Sequence, residues 1–384
     1  IQRIFVNNII PKIVGNKKLC FLFYFECNFF SKCDELKPYF ESLLDVFFQI
    51  LDKNIQTELI STVRFFSLLE THDLHNLSII VTSCQGQIVL PFEPEIYIHS
   101  VDIDGIEQYN SFTKPIKIPL VTSKGKVDIL LKRDDLRKDR FTISIVNIIN
   151  SFISDKLSFI TYNVLPISCT FGIVEMVLNT ETLYNINKTT TLQNYIIEHN
   201  INENMKSIRD RFIRSCASNC VVGYLIGIGD RNLKNILINR NGTMVHIDYS
   251  YIMGTDPKSV HLTNMKITKG MVDMLGGKNS SSYSTFKKTC SDMFIELKPY
   301  IYFWYTSFQY LTIAKPAIYP HHNDFKALKE HIQNRLMPNL SNEEIDIIIV
   351  DVVDSANDSM LAFLSDTSHT VQTTVSDMIF NLIL

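Results

Sequence analysis

Ile228-Gly229-Asp230-Arg231-Asn232-Leu233-Lys234-Asn235-Ile236-Leu237-Ile238, followed by Gly242-Thr243-Met244-Val245-His246-Ile247-Asp248, decides how this chain is read. An Asp is followed five positions on by an Asn, then by a short apolar strand, a turn and a second strand that ends in Asp. Magnesium is a hard cation that takes a few protein oxygens and completes its shell with phosphate oxygens. One carboxamide, Asn235, and one carboxylate, Asp248, are therefore the ligands that a phosphoryl-transfer loop needs. Asp230 falls opposite them, near an attacking hydroxyl. Each residue type alone is a common turn former; the ordered set is what is specific.

Such a loop also requires a cation on another element to hold the transferring phosphates. Lys132 closes the strand Val127-Asp128-Ile129-Leu130-Leu131-Lys132, and Asp134, Asp135 and Asp139 follow within two helical turns, where a carboxylate could orient it. Neither a Walker P-loop nor a protein-kinase glycine-rich loop is present, and Gly227-Ile228-Gly229 is too short to count as one.

Working outward, 384 residues leave room for more than one cooperative unit. With 46% hydrophobic and 20% charged residues and a net charge of -3, the composition is globular, and the absence of any run of five Lys/Arg argues against a nucleic-acid partner. The eight cysteines are scattered; the nearest pair, Cys216 and Cys220, has no ligands at metal-site spacing, so they read as reduced, buried thiols. The longest apolar stretches, 19–25 and 221–228, are far short of the roughly 18 to 20 residues that cross a bilayer. No signal-peptide pattern opens the chain, so a cytoplasmic location is expected.

The periods give the organisation. Leu43, Leu44, Phe47, Phe48 and Leu51 recur at helical spacing within residues 34–70. Strand-like segments follow at 77–82, 96–103, 115–120 and 127–131, separated by Gln-Gly, Asp-Gly and Lys-Gly turn signals. A helix is expected at 135–152, strands at 159–165 and 173–177, and long helical periods from 191 onward. The expected fold is α+β, with a helical segment (1–75), a small β-rich lobe (76–178) and a larger helical lobe (179–384). Val371, Val375, Met378, Ile379, Leu382 and Ile383 share one face of a terminal helix, which packs on its own domain or touches a membrane or partner.

Several motifs then converge. Asp135-Leu136-Arg137-Lys138-Asp139, Tyr162-Asn163-Val164-Leu165-Pro166, Gly172-Ile173-Val174-Glu175-Met176-Val177, Gly229-Asp230-Arg231-Asn232-Leu233-Lys234-Asn235 and His246-Ile247-Asp248-Tyr249-Ser250 occur in collinear order. Together they resemble the phosphatidylinositol 3- and 4-kinase family. Gly254-Thr255-Asp256-Pro257-Lys258 and Met271-Val272-Asp273-Met274-Leu275-Gly276-Gly277 are most similar to its class III, vacuolar protein sorting branch. The resemblance runs from about residue 85 to the end, and the opening helices look like the tail of the helical domain that precedes the kinase in those enzymes.

What this implies is a two-lobed, kinase-like fold that uses ATP with magnesium or manganese. Ser111 and Lys114 match the phosphate loop of the small lobe, Lys132 the phosphate-binding lysine and Asp139 its acidic partner. Tyr162 matches the tyrosine behind the adenine pocket, and Glu175 and Val177 the hinge. Asp230 matches the catalytic Asp, Asn235 and Asp248 the metal ligands, and His246 the histidine ahead of the metal-binding strand end. Lys132, Asp230, Asn235 and Asp248 are expected to meet at one cleft.

The chain departs from the family pattern in three places. Asn232 stands where the family has a histidine that assists the attacking hydroxyl or the phosphate, and Asn can neither act as a base nor carry charge. Lys132-Arg133-Asp134 is one residue shorter than the usual segment, and Asp248-Tyr249-Ser250 replaces Asp-Phe-Gly, losing a glycine. In the stretch 254–269 only Lys258, His261, Lys266 and Lys269 are basic, and they are spaced apart, which suits unphosphorylated phosphatidylinositol. The function expected is phosphoryl transfer to an inositol hydroxyl, the 3-position, on peripheral membranes with regulatory protein subunits as partners. A weakened pseudokinase and a Ser/Thr kinase of the related large-kinase family are the alternatives.

Overall fold

Apolar residues at three- and four-residue spacing form helices α1 (Ile10–Val14), α2 (Lys17–Phe30), α3 (Lys37–Ile50) and α4 (Lys53–Glu70) ahead of the sheet. The computed structural model describes residues 8–31, 37–71, 81, 83–84, 86–110, 113–153, 158–257, 265–314, 325–358 and 366. Helix α4 starts at Asp52, whose carboxylate accepts the amide hydrogens of Asn54 and Ile55 at 2.8 and 3.3 Å, satisfying donors that a helix start leaves open.

Strands β1 (Val89–Leu90), β2 (Glu93–Val101), β3 (Glu107–Gln108), β4 (Ile116–Thr122), β5 (Gly125–Lys132), β6 (Val164–Ser168) and β7 (Phe171–Glu175) form an antiparallel sheet. Their order is β1-β2-β4-β5-β7-β6, with β3 pairing β4. Three strand expectations need correction. Of 77–82 only Val81 is described, and it is helical; the first strand among the described residues is Val89–Leu90. The strand expected at 159–165 begins at Val164 instead. Tyr162 is buried but lies ahead of the ladder, so the apolar run overstates the strand, while Pro166 is accommodated because β6 is at the sheet edge. The strand expected at 173–177 is Phe171–Glu175.

Helices and sheet share one core. Phe21, Phe47, Phe65 and Phe66 from the helices and Leu120, Ile129 and Ile173 from the strands are all completely buried in a single cluster. Polar ties reinforce it: Thr62 Oγ1 accepts the Val89 N–H at 3.1 Å, and the Tyr97 hydroxyl donates to Glu58 at 3.0 Å. Glu58 in turn pairs with Lys17 at 2.8 Å.

Gly172 faces Lys132 across the β5–β7 ladder. A Cβ there would lie 2.7 Å from both Leu136 Cδ1 and the Leu165 carbonyl oxygen, closer than packing allows. Gly172→Ala is expected to cost about 1–3 kcal/mol of stability through this overpacking. A lower denaturant midpoint is the readout, and an unchanged midpoint would show that β6 yields without penalty.

Compact units divide the chain as Ile1–Arg140 with Tyr162–Met176, and Phe141–Thr161 with Val177–Leu384. Helix α5 (Arg137–Phe152) begins in the first and continues into the second. The second then holds β8 (Thr180–Thr182), α6 (Leu183–Thr189), α7 (Leu192–His199), α8 (Met205–Ile226), β9 (Ile236–Asn239) and β10 (Met244–His246). Helices α9 (Lys269–Met274), α10 (Ser281–Leu297), α11 (Ile301–Ala314), α12 (Phe325–Leu336) and α13 (Asn342–Asp358) complete it.

Helix α8 is the spine of this unit: Phe212, Cys216, Ala217 and Val221 are completely buried, and Tyr224 meets Phe294 of α10 edge-on at 5.9 Å. Helix α13 is tied to α10 by Lys287–Asp354 at 2.9 Å. The hairpin β9–β10 pairs β8 in a small antiparallel sheet, order β10-β9-β8, whose β9 and β10 leave the chain poised on either side of the loop residues.

Cys20, Cys27, Cys216, Cys220 and Cys290 are buried free thiols, but Cys169 is exposed and Cys84 partly so, which corrects the expectation that all are buried. No helix among the described residues is long and apolar enough to cross a membrane. The terminal segment 371–384 and Ser111 lie outside the described residues.

Candidate active site

Helix α8 ends at Gly227, whose left-handed φ of +67° turns the chain sharply into the loop. Glycine is required here for space as well, since a Cβ would come within 2.6 Å of the Gly254 amide nitrogen. Arg335 of α12 backs this corner. Its Nη1 donates to the Tyr224 carbonyl and its guanidinium lies 5.1 Å from the centre of the Tyr224 ring. Two backbone hydrogen bonds, Met253 N–H to Ile226 O and Gly254 N–H to Gly227 O, both 2.8 Å, bring in the chain that follows Asp248.

Asp230 comes next, at a φ of +48°, and Asp248 also has positive φ, at +61°. Asp tolerates this region better than most residues, yet two such positions in one site mark a backbone held by its surroundings. Asn232 Nδ2 donates to Asp230 Oδ1 at 3.2 Å, and Asn235 Nδ2 donates to the Asp230 carbonyl at 3.0 Å and to Oδ2 at 3.3 Å. Asn232 also caps the short 3-10 turn Leu233–Asn235, its Oδ1 accepting the Lys234 N–H at 2.9 Å. Burial pushes the Asp230 carboxyl up from the ordinary carboxylate range; the hydrogen bond from Asn232 and the charge of Arg231 oppose this, while the charges of Asp248 and Asp256 add to it.

Arg231 joins the two halves of the site. Its Nε donates to Gly229 O at 2.9 Å, its Nη1 to Ile247 O at 2.8 Å and its Nη2 to Asp248 O, while the guanidinium lies 5.5 Å from the centre of the Tyr249 ring. The Ile247 N–H donates to Asn235 O at 3.1 Å, so both sides of the hairpin are tied to the loop. Asp248 Oδ1 accepts from the Ser250 hydroxyl at 2.7 Å and from its N–H at 3.3 Å. The positive φ of this stretch therefore falls on Asp248, and Ser250, standing where a glycine was expected, uses its hydroxyl to fix the carboxylate.

His246 is buried on β10 and its Nε2 has no hydrogen-bond partner among the described residues. Burial, and then the charges of Arg231 and Lys266, hold its imidazole well below the ordinary range, so it is neutral.

The oxygen donors suit magnesium. Asn235 commits its Nδ2 to Asp230, which leaves its Oδ1 as the atom it offers. Among the described residues no three His, Cys, Asp or Glu cluster as a metal cage. Magnesium beside phosphates takes only one or two protein oxygens, which Asn235 and Asp248 would supply.

The remaining candidates lie mainly in the first unit. Lys132 ends β5 and is buried, as are Asp139 in the first turn of α5 and Tyr162. Lys114 has a positive φ of +44° just before β4. Glu175 closes β7 with its carboxylate accepting from Asn163 Nδ2 at 2.7 Å, and its N–H donates to Asn163 O at 2.8 Å. Val177 belongs to the second unit; its carbonyl accepts the Thr180 hydroxyl at 2.7 Å. The structure thus gathers Asp230, Asn232, Asn235 and Asp248 in one unit. Arg231, Ser250 and Asp256 are the site residues that sequence reasoning gave no role. The available signal for Arg231 was its place directly after Asp230 in the loop.

A loop Asp and Asn followed by a hairpin and a second Asp, in a helical unit that comes after an antiparallel-sheet unit, define a kinase-like α+β fold. Residues 187–309 match the family model for phosphatidylinositol 3- and 4-kinase, a stretch that holds all four of those loop and hairpin residues. The chain is similar to that family over this stretch. It is 27% identical over 311 residues to phosphatidylinositol 3-kinase VPS34 of Candida glabrata, covering 73% of this chain and 34% of the relative. VPS34 of Saccharomyces cerevisiae gives 27% identity over 73% of this chain and 35% of the relative. Phosphatidylinositol 3-kinase pik3 of Schizosaccharomyces pombe gives 32% over 60% of this chain and 30% of the relative. The chain spans about a third of the length of these curated relatives.

Proposed function

We propose that this chain is the catalytic part of an ATP-dependent phosphatidylinositol 3-kinase. The observation that carries the reading is the Arg231-centred assembly that ties the Asp230 loop to Asp248, with the Asn235 amide hydrogen-bonded to Asp230. Phosphoryl transfer is catalysed mostly by positioning and charge stabilisation, and this is an assembly that positions. Asp230 receives the proton of the inositol hydroxyl, and Asn232 and Asn235 orient its carboxylate. Asn235 and Asp248 hold magnesium or manganese, which would neutralise charge on the ATP phosphates when bound.

In the first unit, Lys132 serves the phosphates with Asp139 as its acidic partner, and Ser111 and Lys114 form the phosphate loop. Tyr162 backs the adenine, whose edge pairs with the backbone at Glu175 and Val177. The relatives' names support a lipid acceptor over a peptide one. Phosphatidylinositol at a membrane surface is the substrate, with peripheral attachment and regulatory protein subunits. The helical segment 1–75, the small lobe 76–178 and the large lobe 179–384 remain our division of the chain by function.

The test is to incubate the purified chain with phosphatidylinositol vesicles, ATP and magnesium or manganese and to identify the product. Phosphatidylinositol 3-phosphate is expected. Transfer to peptide alone, or ATP binding without turnover, overturns the reading.

Asn232 supplies a second check. As it stands, its amide orients Asp230 but offers no imidazole. General acid–base help is worth about a hundredfold to ten-thousandfold, so Asn232→His is expected to recover part of that and raise turnover with little change in ATP affinity. A fall in turnover would mean that the amide's hydrogen bond to Asp230 matters more than an imidazole.

A further inference from the structure

Asp256 lies eight residues beyond Asp248, and its carboxylate reaches back into the loop. Its Oδ2 accepts the Asp230 N–H at 2.9 Å. The approach is close along its whole length. The Gly229 N–H donates to Tyr251 O at 2.9 Å, and a Cβ on Gly229 would fall 2.1 Å from Thr255 O and 3.0 Å from Asp256 Oδ2. With the Met253 and Gly254 bonds described above, the chain leaving Asp248 lies against the chain entering Asp230 and ends on its amide.

We propose that Asp256 is a positioning residue for Asp230, coupling the segment that begins at Gly254 to the residue that receives the substrate proton. The role of Asp230 in this inference rests on the kinase reading above. Asp230 is in a left-handed conformation that must be held from outside. Its carbonyl is fixed by the Asn232 N–H at 2.9 Å and Asn235 Nδ2 at 3.0 Å; its amide is fixed by Asp256. Remove the last of these and the residue is anchored on one side only. A carboxylate acceptor makes a stronger hydrogen bond to a backbone N–H than a neutral one. It also brings a negative charge towards Asp230, a repulsion that a residue present only for packing would have no reason to introduce.

The test compares the full chain with Asp256→Asn and Asp256→Ala by steady-state kinetics and by amide hydrogen exchange in peptides containing Asp230. Asn retains an acceptor oxygen at the same reach, so Asp256→Asn is expected to keep kcat within about threefold. Asp256→Ala should lower kcat about tenfold to a hundredfold with KM for ATP changed less than about twofold, because a misplaced reacting group costs rate more than nucleotide binding. The Asp230 amide should exchange faster in Asp256→Ala than in the other two.

Unchanged kcat and exchange in Asp256→Ala overturn the proposal, as does an Asp256→Asn chain that folds normally and is as slow as Asp256→Ala. A wild-type chain that does not phosphorylate phosphatidylinositol overturns the kinase reading and not the contact. Exchange at Asp230 then decides the contact by itself: acceleration in Asp256→Ala upholds it, and equal rates reject it.

Discussion

Asp248→Asn is expected to abolish magnesium-dependent ATP binding and turnover on phosphatidylinositol vesicles while leaving the fold in place. The amide removes the charge that would hold the metal but little volume, and its Oδ1 still accepts from the Ser250 hydroxyl and N–H that fix the native carboxylate. Losing a group aimed at transition-state charge typically costs about a hundredfold to a thousandfold, and losing the metal itself should reach at least the upper end. Titration of magnesium against ATP binding and turnover, alongside a melting curve, separates these effects. Unchanged metal dependence in a folded variant would show that another residue is the ligand.

The second large effect is expected at Arg231. Arg231→Lys keeps the positive charge but replaces a rigid fork by a point charge on a flexible stem, which cannot serve the carbonyls of Gly229, Ile247 and Asp248 together. Each partly buried carbonyl left without a donor costs about 1–3 kcal/mol, so a lower melting temperature should accompany the kinetic defect. Because Asp230 and Asp248 would no longer be held in register, kcat should fall about a hundredfold, with ATP affinity less affected. A kcat equal to wild type would mean that the hairpin and loop keep their relative position without the guanidinium.

Much of the loop and hairpin could be read directly from residue order. The strands quoted after Asn235 became β9 and β10, and the helix expected at 135–152 became α5, because these elements are set by local period and turn chemistry. Reading failed where neighbours decide. Phe159 and Tyr162 extend an apolar run that the sheet does not use, and β6 starts only where β7 is there to pair with it. The run at 19–25 could be dismissed as a membrane span by length, but a continuous apolar stretch does not announce the α2 helix that contains it.

The site shows the same boundary. That Asp230, Asn235 and Asp248 fall in one unit was legible because the loop, the hairpin and its second strand follow one another closely in the chain. Asp256 is not, because its contact with Asp230 joins positions 26 residues apart through a hydrogen bond that no periodicity foretells. Ser250 was legible only as a lost glycine, since what its hydroxyl does depends on where the Asp248 carboxylate turns.

The core shared by α2, α3, α4 and the sheet bears on how this chain can be cut. Phe65 and Phe66 are completely buried in the same cluster as Leu120, Ile129 and Ile173, so a boundary drawn by sequence pattern at residue 75 passes through a single hydrophobic body. A recombinant piece beginning at residue 76 would present that aliphatic sheet face to water. An apolar patch of this kind on an isolated domain leads to self-association. Expression of the small lobe alone should therefore give insoluble or oligomeric material, and crystallisation or inhibitor-screening fragments of this chain are better begun upstream of α2.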